Sequence, residues 1–144
     1  MFSKSCEYAI KAMIYVAQKS KNGERVGIKE IAKSTSAPEH FIAKILQDLS
    51  RKKLVNSYKG PNGGFFLNED NLKTSLADIV KATDGNGIYT DCVLGLKSCS
   101  ESTPCPVHNE FRAIKKNLIK MIESNTIGDF NKKLEAGSSF LKNV

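Results

Sequence analysis

No apolar run among the 144 residues approaches the length of a membrane-spanning helix. The first residues, MFSKSCEYAIKAM, contain Glu7 and no signal-peptide cleavage pattern, so they read as mature sequence of a cytoplasmic protein. There is no internal repeat and no low-complexity tract. Catalytic sets are missing as well: no phosphate-binding glycine loop, no serine–histidine arrangement and no paired carboxylates in a plausible cleft. An enzyme is therefore not expected. Acidic residues are few beside basic ones, 15 against 22, which leaves a net charge of +7. That imbalance suits a polyanionic partner, and nucleic acid is the commonest. With no export signal, the four cysteines read as ligands or buried thiols rather than disulfides.

What the chain does contain is short amphipathic segments. Residues 3–19 carry Ile10, Met13, Ile14 and Ala17 at helical spacing, the mark of one buried face. Ser3 or Ser5 is placed to cap this helix. Cys6 falls on the same stripe and reads as a small buried apolar residue. KSKNGER, residues 19–25, reads as a turn. A second short helix follows over 28–34, with Ile28, Ile31 and Ala32 inward. Ser36 and Glu39 have capping-box spacing, and Pro38 is tolerated in a first turn, so a third helix is expected from there to about Lys52. Its buried face is Ile42, Ile45, Leu46 and Leu49. Its opposite face carries His40, Ala43, Lys44, Gln47 and Arg51.

Residues 54–59 (LVNSYK) and 65–68 (FFLN) look like strands, and GPNGG between them is dense in turn formers. Helix, turn, helix, hairpin is a winged helix-turn-helix: a mainly α fold with a small β-hairpin wing. In that arrangement the third helix enters the major groove of DNA and the wing tip lies along the backbone or minor groove. Lys44, Arg51, Lys52, Lys53 and Lys59 crowd this segment, with only Asp48 opposing them. A fourth helix is expected over 75–83, capped at Thr74 or Ser75 and ended by Asp84-Gly85. Further on, Val107, Phe111, Ile114, Leu118 and Met121 repeat at alternating steps of four and three. This is a heptad seam, widened by Ile119 and Ile122, and it predicts a long dimerisation helix with Phe111, Ile114, Leu118 and Met121 at a homodimer interface. Thr126 with Asp129 marks a last short helix bearing Phe130 and Leu134. Residues from Ala136 on read as a loose tail.

One stretch stands apart. Residues 91–108, DCVLGLKSCSESTPCPVH, hold Cys92, Cys99, Cys105 and His108. The residues between them are loop formers with little to build a core from. Thiolates and an imidazole gathered on one loop suit a soft or borderline metal centre. Three readings are open on local chemistry: a thiol–disulfide switch, a structural zinc with Cys3His ligation, and an iron–sulfur cluster. Zinc sites usually bring ligands as close pairs, and only Cys105 and His108 are so spaced. Zinc and iron–sulfur remain level on this ground.

The order of parts resembles the bacterial winged-helix regulators typified by the iron–sulfur cluster regulator IscR and the nitric-oxide-sensing repressor NsrR. The likeness runs from Ser3 to about Phe130. It is carried by EYAIKAM in the first helix, IKEIA in the second, FIAKILQDLSRKKLV in the third, KGPNGGFFL in the wing, and the cysteine–histidine loop. The resemblance implies a homodimeric, DNA-binding transcription factor holding a [2Fe–2S] or [4Fe–4S] cluster on Cys92, Cys99 and Cys105. The implied fourth ligand is His108, or in some relatives an acidic residue matching Glu7, reached from the partner subunit. On residue chemistry His40, Lys44 and Gln47 are expected to read base edges, with Gln suiting adenine and Lys guanine, while His40, Ala43 and Lys44 stand where IscR-like members carry other base-reading side chains. Arg51, Lys53 and Lys59, with the backbone at Asn62 and Gly63, would hold phosphates. Six residues separate the first two cysteines where five are usual for such regulators. The expected division is a DNA-binding domain over 1–84, a cluster-binding loop over 85–106, dimerisation and C-terminal helices over 107–135, and the tail 136–144. A different class, an iron–sulfur electron carrier that binds no DNA, explains the loop but not the wing.

Overall fold

The computed structural model describes residues 1–141. Helix α1 (Lys4–Ser20) runs through the middle of the molecule. Ser3 caps it, its hydroxyl accepting from the Cys6 amide at 3.0 Å. The apolar stripe read from the sequence is only part of what this helix buries. Ala9, Ala12 and Val16 are enclosed along with Met13, Ile14 and Ala17, because four other helices and the wing pack around it. Alanines let those neighbours approach closely on several sides. Cys6 is fully buried, as its place on the stripe suggests.

Helices α2 (Ile28–Thr35) and α3 (Glu39–Arg51) form the helix-turn-helix. Here one expectation fails. Ser36 does not open α3 as a capping box with Glu39; it closes α2 in the left-handed conformation, φ 54°. The Ala37 amide then bonds back to the Ala32 carbonyl at 3.0 Å. Such a position favours glycine, and serine occupies it at some cost. The residue that opens α3 is Pro38, whose carbonyl accepts from Phe41 and Ile42 at 3.1 Å each. The buried face of α3 is Ile42, Ile45, Leu46 and Leu49, as the periodicity predicts.

The wing consists of β1 (Asn56–Tyr58) and β2 (Gly64–Phe66), antiparallel with Ser57 opposite Phe65. The strands are shorter than the sequence suggests, since Val55 and Leu67 turn into the core. Val26 adds a third rung, exchanging backbone hydrogen bonds with Phe65 at 2.9 and 2.8 Å. Gly64 makes this approach possible: its φ is 149°, and a Cβ there would lie 2.9 Å from the Val26 backbone. Asn71 locks the wing base, accepting from Asn56 at 2.6 Å and donating to the Lys53 carbonyl at 3.1 Å. It sits in α4 (Glu69–Leu72), a single turn capped by Asn68 that the sequence pattern does not reveal.

Helix α5 (Leu76–Asp84) starts with a capping box between Ser75 and Asp78. A further single turn, α6 (Gly87–Thr90), lies inside what reads as open loop. Helix α7 (His108–Ser124) packs along α5 and α6, and Val107 precedes it as its N-cap. A Thr126–Asp129 capping box opens α8 (Ile127–Glu135). The Thr74 carbonyl accepts from the Ile127 amide at 3.0 Å, which turns α8 back onto α1. Ile127 is fully buried, with Phe130 and Leu134 packed beside it. The expected loose tail is in part ordered, with Ala136 and Ser138 bonded to the Lys132 and Lys133 carbonyls. Its last three residues lie outside the described residues. No helix among the described residues is long and apolar enough to cross a membrane.

Two outcomes test this packing. Leu46→Ala should lower the unfolding free energy by about 2–5 kcal/mol, measured as a fall in urea midpoint at constant slope. A loss below about 0.5 kcal/mol would mean that Leu46 is not enclosed. Gly64→Ala should break the Val26–Phe65 bridge and speed amide exchange at both residues while helical circular dichroism stays unchanged. Unaltered protection there would contradict the close approach.

Candidate nucleic-acid interface and metal centre

The outward face of α3 presents His40, Lys44, Gln47 and Arg51 to solvent, while Ala43 is half-buried. They lie on one face because α3 buries the opposite one. Arg51 also reaches Asp48 at 3.4 Å. The His40 ring lies 4.5 Å from that of Phe41, a largely exposed aromatic at the start of the reading helix that apolar periodicity overlooks. Lys53 is exposed at a left-handed turn, φ 61°, leading from α3 to the wing. Lys59 and Asn62 are exposed at the wing tip.

Between α3 and the wing runs a groove of about 590 Å³, lined by Gln47, Arg51, Tyr58, Lys59 and Gly63 among others. It brings helix and wing residues onto a common surface. Gly63 departs from its expected part. Its amide is engaged with the Gly60 carbonyl at 2.9 Å, and a Cβ would collide with the Tyr58 carbonyl. Gly63 thus shapes the tip rather than offering a free N–H. Arg25, which reads as part of a turn, stacks on the Tyr58 ring. No periodic signal marks it; only its basic charge beside a buried valine hints at a role.

The cysteine loop folds against the start of α7. Cys92, Cys99 and Cys105 converge, with all three sulfurs within 4.8 Å of one another. Cys92 Sγ and Cys105 Sγ are 3.9 Å apart, and His108 Nδ1 lies 3.2 Å from Cys99 Sγ. The six-residue spacer is taken up by a turn in which the Gly95 amide bonds to the Cys92 carbonyl at 2.9 Å. The cysteines line a cavity of about 440 Å³ with His108, Tyr89, Phe111 and Ile119. His108 Nε2 is buried and has no hydrogen-bond partner among the described residues. Backbone amides of Leu96 and Leu94 aimed at Cys92 pull its thiol below the ordinary cysteine range. Cys99 shifts the other way. The Cys105 amide favours its thiolate, but burial and the neighbouring Cys105 and Cys92 sulfurs outweigh that and raise it. One thiol ionises readily while its neighbour resists, as crowded sulfurs must unless a cation joins them. Cys6 stands outside this group, its thiol pushed up by burial in the core.

Three convergent thiols, an imidazole against one of them and an orphaned buried ring nitrogen fit a soft or borderline metal group. Glu7 is placed differently. Its carboxylate pairs with Lys4 at 2.9 Å, which holds it below the usual carboxylate range. Within one chain it does not join the sulfurs. Along α7, Phe111 and Leu118 are half-buried, whereas Ile114 and Met121 are exposed. Ile122, read as widening the seam, is fully buried against the body instead. Val93, Leu94 and Leu96 add exposed apolar surface in the cysteine loop.

Comparison with known proteins gives a consistent answer. A family model described as Rrf2, iron-dependent transcriptional regulator, matches residues 2–133. An HTH-type transcriptional regulator of Aquifex aeolicus is 35% identical over 132 residues, covering 90% of each chain. The regulator IscR of Klebsiella pneumoniae is 26% identical over 122 residues, 85% of this chain and 74% of that one. Among solved structures, IscR of T. potens superposes with a TM-score of 0.73 at 21% identity, over 99% of this chain and 93% of that one. CymR, the global cysteine regulator of B. subtilis, gives 0.73 at 20% identity, over 92% and 96%. The winged-helix fold is thus shared with both. Matched over nearly its whole length, with a helix-turn-helix, a wing and a three-sulfur loop in place, the chain belongs to the Rrf2 family of transcriptional regulators.

Proposed function

We propose that this chain is a homodimeric, cytoplasmic DNA-binding regulator whose hold on DNA responds to an iron–sulfur cluster on the loop between α5 and α7. The observation that carries the reading is the convergence of Cys92, Cys99 and Cys105 within 4.8 Å. The four residues of the site come from both ends of the loop. Cys92, Cys99 and Cys105 would be ligands and His108 the fourth, by the ring nitrogen nearest Cys99 or by the buried one that lacks a partner. Glu7 is the alternative fourth ligand, from a partner subunit. When bound, the cluster supplies a redox- and nitric-oxide-sensitive centre and ties the loop together.

The protein's own residues do the rest. Division of labour follows the chain: a reading head over 1–84, a sensor loop over 85–106, and pairing helices over 107–135. Ile114 and Met121 leave apolar surface for a second copy, continuous with half-buried Phe111 and Leu118. His40, Lys44 and Gln47 face base edges, and Arg51, Lys53 and Lys59 face phosphates. The sensor loop begins where α5 ends. There Asp84 accepts from the Ser3 amide at 2.9 Å, and the Lys52 ammonium donates to the Ala82 carbonyl at 2.7 Å. Order in the loop thereby bears on both α1 and the C-terminal end of α3. Ligation shifts DNA affinity to the extent that it favours one arrangement of these contacts.

Two other uses of the thiols have support of their own. The Cys92–Cys105 separation of 3.9 Å is close to the edge of a tetrahedral zinc–sulfur site, about 3.8 Å for bonds of about 2.3 Å. It also suits oxidation. Two thiols would join as a disulfide while a peroxide takes their two electrons and two protons and leaves as two waters. An iron–sulfur electron carrier without DNA binding leaves the α3–wing groove without a purpose.

Protein purified without oxygen should be coloured, with iron and sulfide in matching amounts. Cys92→Ala should abolish the visible absorbance. Colourless protein holding one zinc would replace the cluster by a structural metal, and metal-free protein whose DNA binding follows thiol oxidation would favour the disulfide. Lys59→Ala should weaken binding to all duplexes alike and lower the salt slope by about one. Loss confined to one sequence would contradict a phosphate contact.

A further inference from the structure

The turn before α2 meets the wing in a contact that neither the reading helix nor the sulfur site uses. The Arg25 guanidinium carbon lies 3.9 Å from the centre of the Tyr58 ring and 5.7 Å from that of Phe66. Its Nη1 also points at the Asn62 carbonyl of the wing tip, at a long 3.5 Å. The residue after it, Val26, is buried and bridged to Phe65, so the arginine backbone is anchored while its side chain reaches outward. Arg25 and Tyr58 are both exposed, and Tyr58 directly precedes Lys59. A two-stranded hairpin is marginally stable alone in water. Val26 holds one side of this one, and the strand carrying Tyr58 lies on the other.

We propose that Arg25 is a positioning residue of the DNA interface: stacked on Tyr58, it fixes the wing tip against the helix-turn-helix, so that Lys59 is presented across the groove from Gln47 and Arg51. This rests on the DNA-binding reading and adds to it a second kind of basic residue, one that acts through the wing rather than on a phosphate. The chemistry of the stack decides between these roles. A planar guanidinium can lie flat on a ring, where an ammonium meets it only as a compact, more strongly hydrated charge; lysine can still contact a phosphate as a point charge, so loss of the shared contact in a double variant is what separates the two roles.

The test is anisotropy of a fluorescein-labelled duplex of mixed sequence, titrated with the full chain at several potassium chloride concentrations. Arg25→Lys and Tyr58→Ala should each weaken binding about two- to fivefold, with thermal midpoints unchanged. The double variant Arg25→Lys with Tyr58→Ala should bind no more weakly than Tyr58→Ala alone, because both changes remove the same contact. Full affinity in Arg25→Lys, or additive losses in the double variant, would overturn the positioning role. A parent chain that binds no duplex even at low salt would remove the DNA-binding reading itself, and the role of Arg25 with it.

Discussion

Burial of α1 on nearly every side is the constraint on which the rest of the molecule depends. Its small residues, Ala9, Ala12 and Ala17, let α2, α3, α5 and α8 crowd around it. Met13, Ile14 and Val16 fill the spaces between them. A helix so enclosed cannot shift without disturbing all its neighbours, since close-packed interiors have few voids to absorb a displacement. The reading helix, the wing and the start of the sulfur loop are each held against it or against something it holds.

The same helix joins the surface of α3 to the start of the cysteine loop. Its first residues meet the end of α5 through Ser3 and Asp84, whose hydroxyl and carboxylate also make a tight contact. Nearby, Lys52 at the end of α3 caps a carbonyl in the last turn of α5. The loop carrying the cysteines therefore begins at a point that touches both the central helix and the reading helix. In the proposed regulator, a ligand that orders the loop needs no long chain of intermediates to be felt at the DNA surface. The winged-helix fold is shared with the CymR and IscR structures, and a shared fold does not by itself fix the chemistry of the loops grafted on it.

The wing shows how a marginal element is made firm. Two strands of three residues bury little, and the contacts that stabilise them come from elsewhere in the chain: Val26 at one edge, Asn71 at the base, Arg25 over Tyr58. Gly63 is required because the hairpin's own backbone at Tyr58 and Gly60 passes where a Cβ would stand, and Gly64 because the backbone of Val26 does. Glycine here serves packing as much as turn geometry.

The amphipathic elements are legible from residue order alone. Helix α3 shows its buried face plainly because half of it meets solvent, so apolar and polar positions alternate at helical period. The helix start at Thr126–Asp129 follows from spacing, since its hydrogen bonds are local, whereas the choice of Ser75 over Thr74 as the cap of α5 needed the structure. The sulfur loop stands out because cysteine and histidine are rare residues placed among loop formers. Other features needed the folded chain. Ala9 and Ala12 escape notice because alanine is at home on either side of a helix, and burial all round erases the alternation. Ser36 reads equally as the start of one helix or the end of another until the backbone chooses the left-handed turn. Single turns such as α4 and α6 are too short to show a period. The heptad seam of α7 is real as a pattern, yet Ile122 turns to the core while Ile114 and Met121 face outward, a partition set by where α5 lies. Sequence singled out the cysteine–histidine loop and the basic helix because chemistry resides in residue type. The meeting of the three sulfurs with His108, and of Arg25 with Tyr58, was decided only by tertiary structure, because contacts between distant segments leave no period in the chain that makes them.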